Sequence, residues 1–345
     1  MLVPAIDLGG TLIKGALVGP DGAVERRVAE PTRAEEGHAA VVERLAAMGR
    51  RLVRQATQAN GWGPAVLGVA VPGLVDAARG VVVSGANIDW RDYPVREALR
   101  RRVGSPVEMG HDVTVAALAE HRFGAARGAR LAVVAAIGTG IAAALIHQGM
   151  PIAGAHGRVA ELGHLPLPWA AEPCGCGGVG CVERVGSAAA VAARYAALKA
   201  AADRDGAEAA AATRRPDRGA VAESAAACAP PGSRTTPRGG GDADAAAGVD
   251  AKRVVELVRE GDPIARSVWD DAVRALAEAL ATVVTLFDPD RIVIGGGLSR
   301  AGEALLAPLR RQLRSRLTFQ IMPEVVAASL GSDAGVVGAA ITAGL

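Results

Sequence analysis

His164, Cys174, Cys176 and Cys181 fall within one short glycine-rich stretch, and a chain carrying such a set has to turn that stretch back on itself. One imidazole nitrogen and three thiolates suit a closed tetrahedral zinc site. The glycines of Cys174-Gly-Cys176-Gly-Gly-Val-Gly-Cys181 give the backbone the freedom to converge its sulfurs on one point. A disulfide fits less well, because a Cys-X-Cys pair closes a strained ring and a third thiol is left over. With no spare carboxylate or open position, the set reads as structural zinc pinning a loop over residues 164–181. Cys228 stands alone, and this cysteine usage places the chain in a reducing cytoplasm.

The rest of the chain alternates strands and helices, which predicts an α/β architecture. Val3 to Asp7 reads as a strand, Leu8-Gly9-Gly10-Thr11 as a turn, and Ile13 to Val18 as the returning strand. Apolar spacing predicts a helix over about residues 36–59, and a short buried strand over Val66 to Val71 ends in Pro72-Gly73. A weaker strand, Val107 to Met109, precedes Asp112 and a helix from Val113 to Phe123. Leu131 to Ile137, the turn Gly138-Thr139-Gly140 and a strand to Ile146 repeat the opening pattern. Asp262 and Pro263 are the cap and first residue of a long helix ending before Pro289. Arg291 to Ile294 then runs as a strand into Gly295-Gly296-Gly297, and a small-residue helix closes the chain.

At 345 residues there is enough chain for two domains, and with only 3% aromatics the core has to be built from Val, Leu, Ile and Ala. From about residue 200 the pattern collapses into Ala, Gly, Pro, Arg, Asp and Ser, so residues 203–249 are expected to form a disordered insertion. The 38 basic and 36 acidic residues are interspersed, a net charge of +2 that offers no electrostatic footprint for nucleic acid or an anionic membrane. The first residues lack the basic region and cleavage site of a signal peptide. No apolar run approaches the ~20 residues of a membrane span.

The glycine turns carry the chemistry. Paired glycines let backbone N–H groups approach phosphate oxygens, and Thr11 adds a hydroxyl donor. Lys14 either adds positive charge or points to solvent. Asp7-Leu-Gly9-Gly10-Thr11-Leu-Ile-Lys14 is not a Walker loop and not a dinucleotide fingerprint, because a strand and not a helix follows the glycines. With Gly138-Thr139-Gly140 and Gly295-Gly296-Gly297, it makes three close-approach surfaces in the order needed to clamp the phosphates and adenosine of a nucleotide.

These motifs, with Glu161-Leu-Gly-His164 and Cys-x-Cys-Gly-x-x-Gly-Cys-x-Glu183, resemble the ROK family of sugar kinases and sugar-responsive repressors, within the actin-like and hexokinase-like ATPases. The resemblance implies two lobes of the ribonuclease-H-like type with a cleft between them. The smaller lobe would hold residues 1–112 and take back the C-terminal helix at about 333–345, and the larger would hold 113–332 with the zinc loop. It further implies Asp112 as catalytic base, and a sugar site of Gly73, Asn87, His111, Asp112, Glu161, His164 and Glu183. The nucleotide site would comprise Asp7, Gly9, Gly10, Thr11, Lys14, Gly138, Thr139, Gly140, Gly295, Gly296 and Gly297. His164 would bind zinc through one ring nitrogen and sugar through the other.

Three departures stand out. His111 takes the place of an Asn. Ala160 and Ala142 replace glycines, which fits if φ is negative at both. The insertion is longer than the family's usual connection.

The expected activity is phosphorylation of a hexose or N-acetylhexosamine, most simply glucose, by ATP with Mg²⁺, in a homodimer or homotetramer. The family's repressors carry a DNA-binding module ahead of this domain, for which a phosphate loop starting at Asp7 leaves no room. The rival reading is a catalytically idle sugar sensor without such a module. Retention of Asp112 and both glycine turns argues against it. A zinc-ribbon nucleic-acid binder would need basic and aromatic residues between Cys174 and Cys181, where the chain has glycine and valine.

Overall fold

The computed structural model describes residues 1–61, 65–85, 88–213 and 249–345. Two five-stranded sheets organise it, and both are wound in the same way. The first half of the chain contributes β1 (Val3–Leu8), β2 (Leu12–Val18), β3 (Val28–Pro31), α1 (His38–Asn60) and β4 (Leu67–Val71). A small antiparallel sheet follows, of β5 (Leu74–Asp76), β6 (Val81–Ser84) and β7 (Arg91–Tyr93). Next come α2 (Val95–Val103), β8 (Val107–His111) and α3 (Asp112–Phe123).

The second half supplies β9 (Leu131–Ile137), β10 (Ile141–His147), β11 (Met150–Pro151), α4 (Glu183–Gly186), α5 (Ala188–Thr213), α6 (Ala251–Glu260) and α7 (Pro263–Phe287). It ends with β12 (Arg291–Gly295), α8 (Glu303–Arg314), β13 (Glu324–Ala327) and α9 (Ala334–Thr342).

The first sheet has the order β3-β2-β1-β4-β8 and the second β11-β10-β9-β12-β13. In each, the first three strands in chain order form an antiparallel meander, and the remaining two add in parallel to the central strand. Parallel addition requires a helical crossover, and α1 meets that need between β2 and β4. Its buried face, Val41, Val42, Leu45, Met48, Leu52 and Ala56, follows the helical period and packs on the first sheet. Gly61 ends the helix in the left-handed conformation, φ 74°. In the second half the side chain of Asp262 accepts from the Ala265 N–H at 2.8 Å, and Pro263 opens α7, as the sequence predicts. The core of this half gathers sheet strands with α5, α6, α7 and α8 around Trp269 and Leu276.

α5 departs from expectation by continuing to Thr213, into the first part of the stretch read as disordered. Alanine has the best helix propensity of any residue, so a segment too poor in large side chains to form a core still extends a helix. The remainder of that stretch, 214–248, lies outside the described residues, as does Asn87.

Between the sheets lie α3 and α9. Val115 and Ala119 of α3 pack with α9 and the first sheet, while Ala117 packs with Val134, Ala144 and Ile146 of the second. α9 approaches its neighbours through glycine. A Cβ on Gly68 would stand 1.9 Å from the carbonyl oxygen of Ala339, and one on Gly338 would stand 1.9 Å from that of Val115. Fully buried Glu120 fastens the far end of α3. Its carboxylate accepts from the N–H groups of Ala125, Ser329 and Leu330 and from the Ser329 hydroxyl.

Gly338→Ala is expected to cost about 3 kcal/mol or more, because the methyl meets backbone and no rotamer relieves it. Urea unfolding within about 1 kcal/mol of the parent protein would show that α9 shifts without penalty.

Candidate active site

The parallel pairing aligns Asp7 with Ala70 and Val71 with His111. The C-terminal ends of β1, β4 and β8 therefore bring Asp7, Gly73 and Asp112 to one edge of the first sheet. Gly73 has φ 99°, and a Cβ there would lie 2.4 Å from the Ser84 carbonyl oxygen, so the turn requires glycine. In the second sheet Gly295 pairs with Ala136, which brings Gly138-Thr139-Gly140 and Gly295-Gly296-Gly297 to its corresponding edge. Gly296 has φ 80° and sits 2.4 Å, measured from a Cβ, against the Ile137 carbonyl. At Gly138 and Gly297 a Cβ would meet nothing within 4 Å, which leaves this backbone open to a ligand.

Each glycine turn has its own brace. In the first, the Gly9 N–H donates to the Leu12 carbonyl at 3.0 Å, and the buried Thr32 hydroxyl donates to the Gly9 carbonyl at 2.7 Å. The Thr32 N–H also donates to the Thr11 carbonyl at 2.9 Å. In the second, the Gly138 N–H donates to the Gly140 carbonyl at 2.9 Å, and the Ala188 N–H at the start of α5 donates to the Gly138 carbonyl at 2.8 Å. Nothing in the sequence singles out Thr32, since a threonine at a strand end is unremarkable without its partner.

Asp7 is held between Lys14, at 3.9 Å, and Gly335 of α9, where a Cβ would come within 2.4 Å of its carboxylate. Lys14 also donates to the Ser332 carbonyl at 3.3 Å, so its half-exposed side chain reaches toward Asp7 and the start of α9. Burial lifts the Asp7 pKa from 3.8 to about 6; Lys14 opposes the rise and Asp112 adds to it. Asp112 opens α3, where the helix N-terminus favours its anion. Lost hydration raises its pKa, against the pull of His111 and of the Val113 N–H. The side chain is nonetheless 35% exposed, with one side left open. His111 Nε2 lies 3.1 Å from Asp112 Oδ1, and Val113 N–H donates to that same oxygen at 2.7 Å.

The ligand atoms of His164, Cys174, Cys176 and Cys181 all lie within 4.8 Å of one another. Cys174 Sγ is 3.7 Å from His164 Nδ1 and Cys176 Sγ is 3.6 Å from Cys181 Sγ. Metal–sulfur bonds of ~2.3 Å in a tetrahedron give edges of ~3.8 Å, so these spacings suit one tetrahedral ion. Because Nδ1 faces the sulfurs, Nε2 of His164 is left for another partner.

The metal loop is joined to the second glycine turn at Ile141. Its N–H donates to Glu183 Oε2 at 2.8 Å, while a Cβ on Gly163 would stand 2.3 Å from its carbonyl oxygen. Glu183, read from sequence as a sugar ligand, therefore also braces the phosphate turn. The expectation of negative φ at Ala160 is overturned: it sits at φ 63°, immediately before Glu161. A left-handed L-residue costs roughly 1–2 kcal/mol, strain that a glycine would not carry. Ala142, inside β10, is absent from the positive-φ positions. A surface groove lined by Trp169, Glu172, Arg194 and Asp271 contains none of these site residues.

A twice-repeated mixed sheet, with a glycine turn between the first two strands of each copy and carboxylates at the edge of one, is an α/β architecture consistent with the actin-like and hexokinase-like ATPases. Within that class the chain belongs to the ROK family, whose model matches residues 3–344. It is 32% identical over 342 residues to a glucokinase of Thermotoga maritima, covering 97% of this chain and 95% of the relative. The crystal structure of a ROK glucokinase from Streptomyces griseus in complex with glucose and AMPPNP superposes with a TM-score of 0.74 at 30% identity, covering 99% of this chain and 98% of that one. An N-acetylglucosamine repressor of Escherichia coli is 27% identical over 240 residues, 70% of this chain and 50% of the repressor.

Between pH 3.8 and about 6 native Asp7 keeps a proton that the unfolded chain has released. Stability therefore falls as pH rises through that window and stays lowered above it. Asp7→Asn is expected to gain roughly 1–3 kcal/mol at about pH 7.5 and almost nothing at about pH 4. Thermal melts at the two pH values check this; an equal gain at both would sever the effect from ionisation.

Proposed function

We propose that this protein transfers the γ-phosphoryl group of ATP to a hydroxyl of a hexose or N-acetylhexosamine, most simply glucose, with Asp112 as general base. The observation that carries the reading is the single sheet edge holding Asp7, Gly73 and Asp112, in a chain that matches glucokinases along nearly their whole length. Asp112 accepts the hydroxyl proton as the sugar oxygen forms its bond to the γ-phosphorus, and the bond from that phosphorus to the bridging oxygen breaks, releasing ADP. A carboxylate whose pKa is raised by burial is a stronger proton acceptor than an ordinary one.

Gly9, Gly10, Thr11, Gly138, Thr139 and Gly140 offer backbone and hydroxyl donors to the triphosphate, and Gly295, Gly296 and Gly297 a flat approach for the nucleoside. Mg²⁺ arriving with ATP would neutralise phosphate charge, and Asp7 would hold it through water. Gly73, Glu161, Glu183 and Nε2 of His164 address the sugar, and a metal held at Nδ1 would keep the imidazole in position. His164, Cys174, Cys176 and Cys181 would hold a structural zinc whose work is to fix the loop presenting Glu161.

Asp112→Asn is expected to leave sugar binding nearly intact while turnover falls at least ~100-fold in a coupled ADP-release assay. Near-normal turnover would refute the base, and sugar-induced stabilisation without any turnover in the parent protein would favour the idle sensor. Cys176→Ser is expected to lose metal and sugar affinity together, read by metal content and glucose titration. Normal glucose affinity in the metal-free protein would break the link between loop and pocket.

A further inference from the structure

The geometry points to His111 as a positioning residue that, with the Val113 N–H, engages one oxygen of Asp112 and leaves the other to meet the sugar hydroxyl. This rests on Asp112 being the base. His111 Nε2, at 3.1 Å, and the Val113 N–H, at 2.7 Å, both address Oδ1. One hydrogen bond and a close imidazole contact on the same oxygen restrict the carboxylate's rotation and leave Oδ2 as the oxygen turned to the sugar hydroxyl. The other ring nitrogen, Nδ1, is 3.4 Å from the Thr114 hydroxyl on the first turn of α3. Both nitrogens of His111 are therefore turned to protein groups, and the ring has no hydrogen-bonding atom left over for the sugar.

This arrangement differs from an amide at the same position. A protonated imidazole beside Oδ1 brings a positive charge that no amide supplies, and it favours the ionised carboxylate. Few other charges bear on Asp112. Asp7 on β1 repels it and is itself matched by Lys14 on β2. β4 and α9 contribute no titratable side chain, Asp76 on β5 faces Arg79, and Glu108 on β8 faces Arg96. His111, when it carries a proton, places a positive charge 3.1 Å from Asp112 Oδ1.

The test compares the parent protein with His111→Asn, which keeps a donor of similar size, and His111→Leu, which keeps bulk alone. Three quantities are read: kcat with glucose and ATP, glucose affinity by calorimetry without ATP, and the acid limb of kcat/KM against pH. The expected result in both variants is a fall in kcat of about tenfold, a glucose affinity within about twofold of the parent, and an acid limb displaced to higher pH. The shift follows because removing a cation makes Asp112 easier to protonate. Glucose affinity weakened tenfold or more with the limb unmoved would overturn the inference and make His111 a sugar ligand. Unchanged kcat and limb in both variants would overturn it as well. Asp112→Asn measured alongside separates the two levels: if it stays active the base assignment has failed, and if it is inactive while the His111 variants behave as the parent, only the positioning role has.

Discussion

The seating of α9 on its neighbours depends on the absence of side chains. Gly68 on β4 and Gly338 on α9 allow backbone to touch backbone, and Gly335 lets the helix start directly against the carboxylate of Asp7. A methyl at Gly68, Gly338 or Gly335 would push the last helix away from β4, α3 or β1 respectively. The residue that opens the chemistry at the end of β1 is thus held by a segment more than three hundred positions further along, and the polar Lys14–Asp7 contact is secondary to that close packing. Once α9 is down, α3 has a surface to lie against, and Asp112 at its start is carried to the same edge.

A second junction operates in the other half. Ile141, the first residue after the glycine turn, is gripped on its N–H by Glu183 and crowded on its carbonyl by Gly163. The histidine and cysteines flank these two contacts in sequence. The cysteine–histidine loop, Glu183 and the second glycine turn consequently meet at one piece of backbone. Their geometry is therefore set jointly.

The strands, the glycine turns and the cysteine–histidine set were legible because each depends on residues adjacent in the chain. Apolar runs mark buried strands, Asp262-Pro263 marks a helix start, and Cys-x-Cys with a nearby His marks a metal loop. What was not legible depends on partners distant in sequence. Thr32 becomes a brace only when β3 pairs with β2, and Glu183 acquires its second role only when α4 packs beside β10. The left-handed conformation of Ala160 ran against residue identity, since a loop held at both ends imposes a φ that alanine does not choose. The run of α5 to Thr213 was not legible, because no large apolar residue marks it and alanine alone sustains a helix that has already been nucleated.

The layer between the two sheets has a mechanical character set by its composition. Large side chains lock neighbouring helices into discrete ridge-and-groove settings, and sliding past one another obliges each to change rotamer. α3 and α9 meet through Val115, Ala119, Gly338, Ala339 and Ala340, and α3 faces the second sheet through Ala117. Alanine and glycine have no rotamers to change. With Val115, Val336 and Val337 as the branched exceptions, this layer has few side chains to re-seat, and the carboxylate of Glu120 pins one end of it.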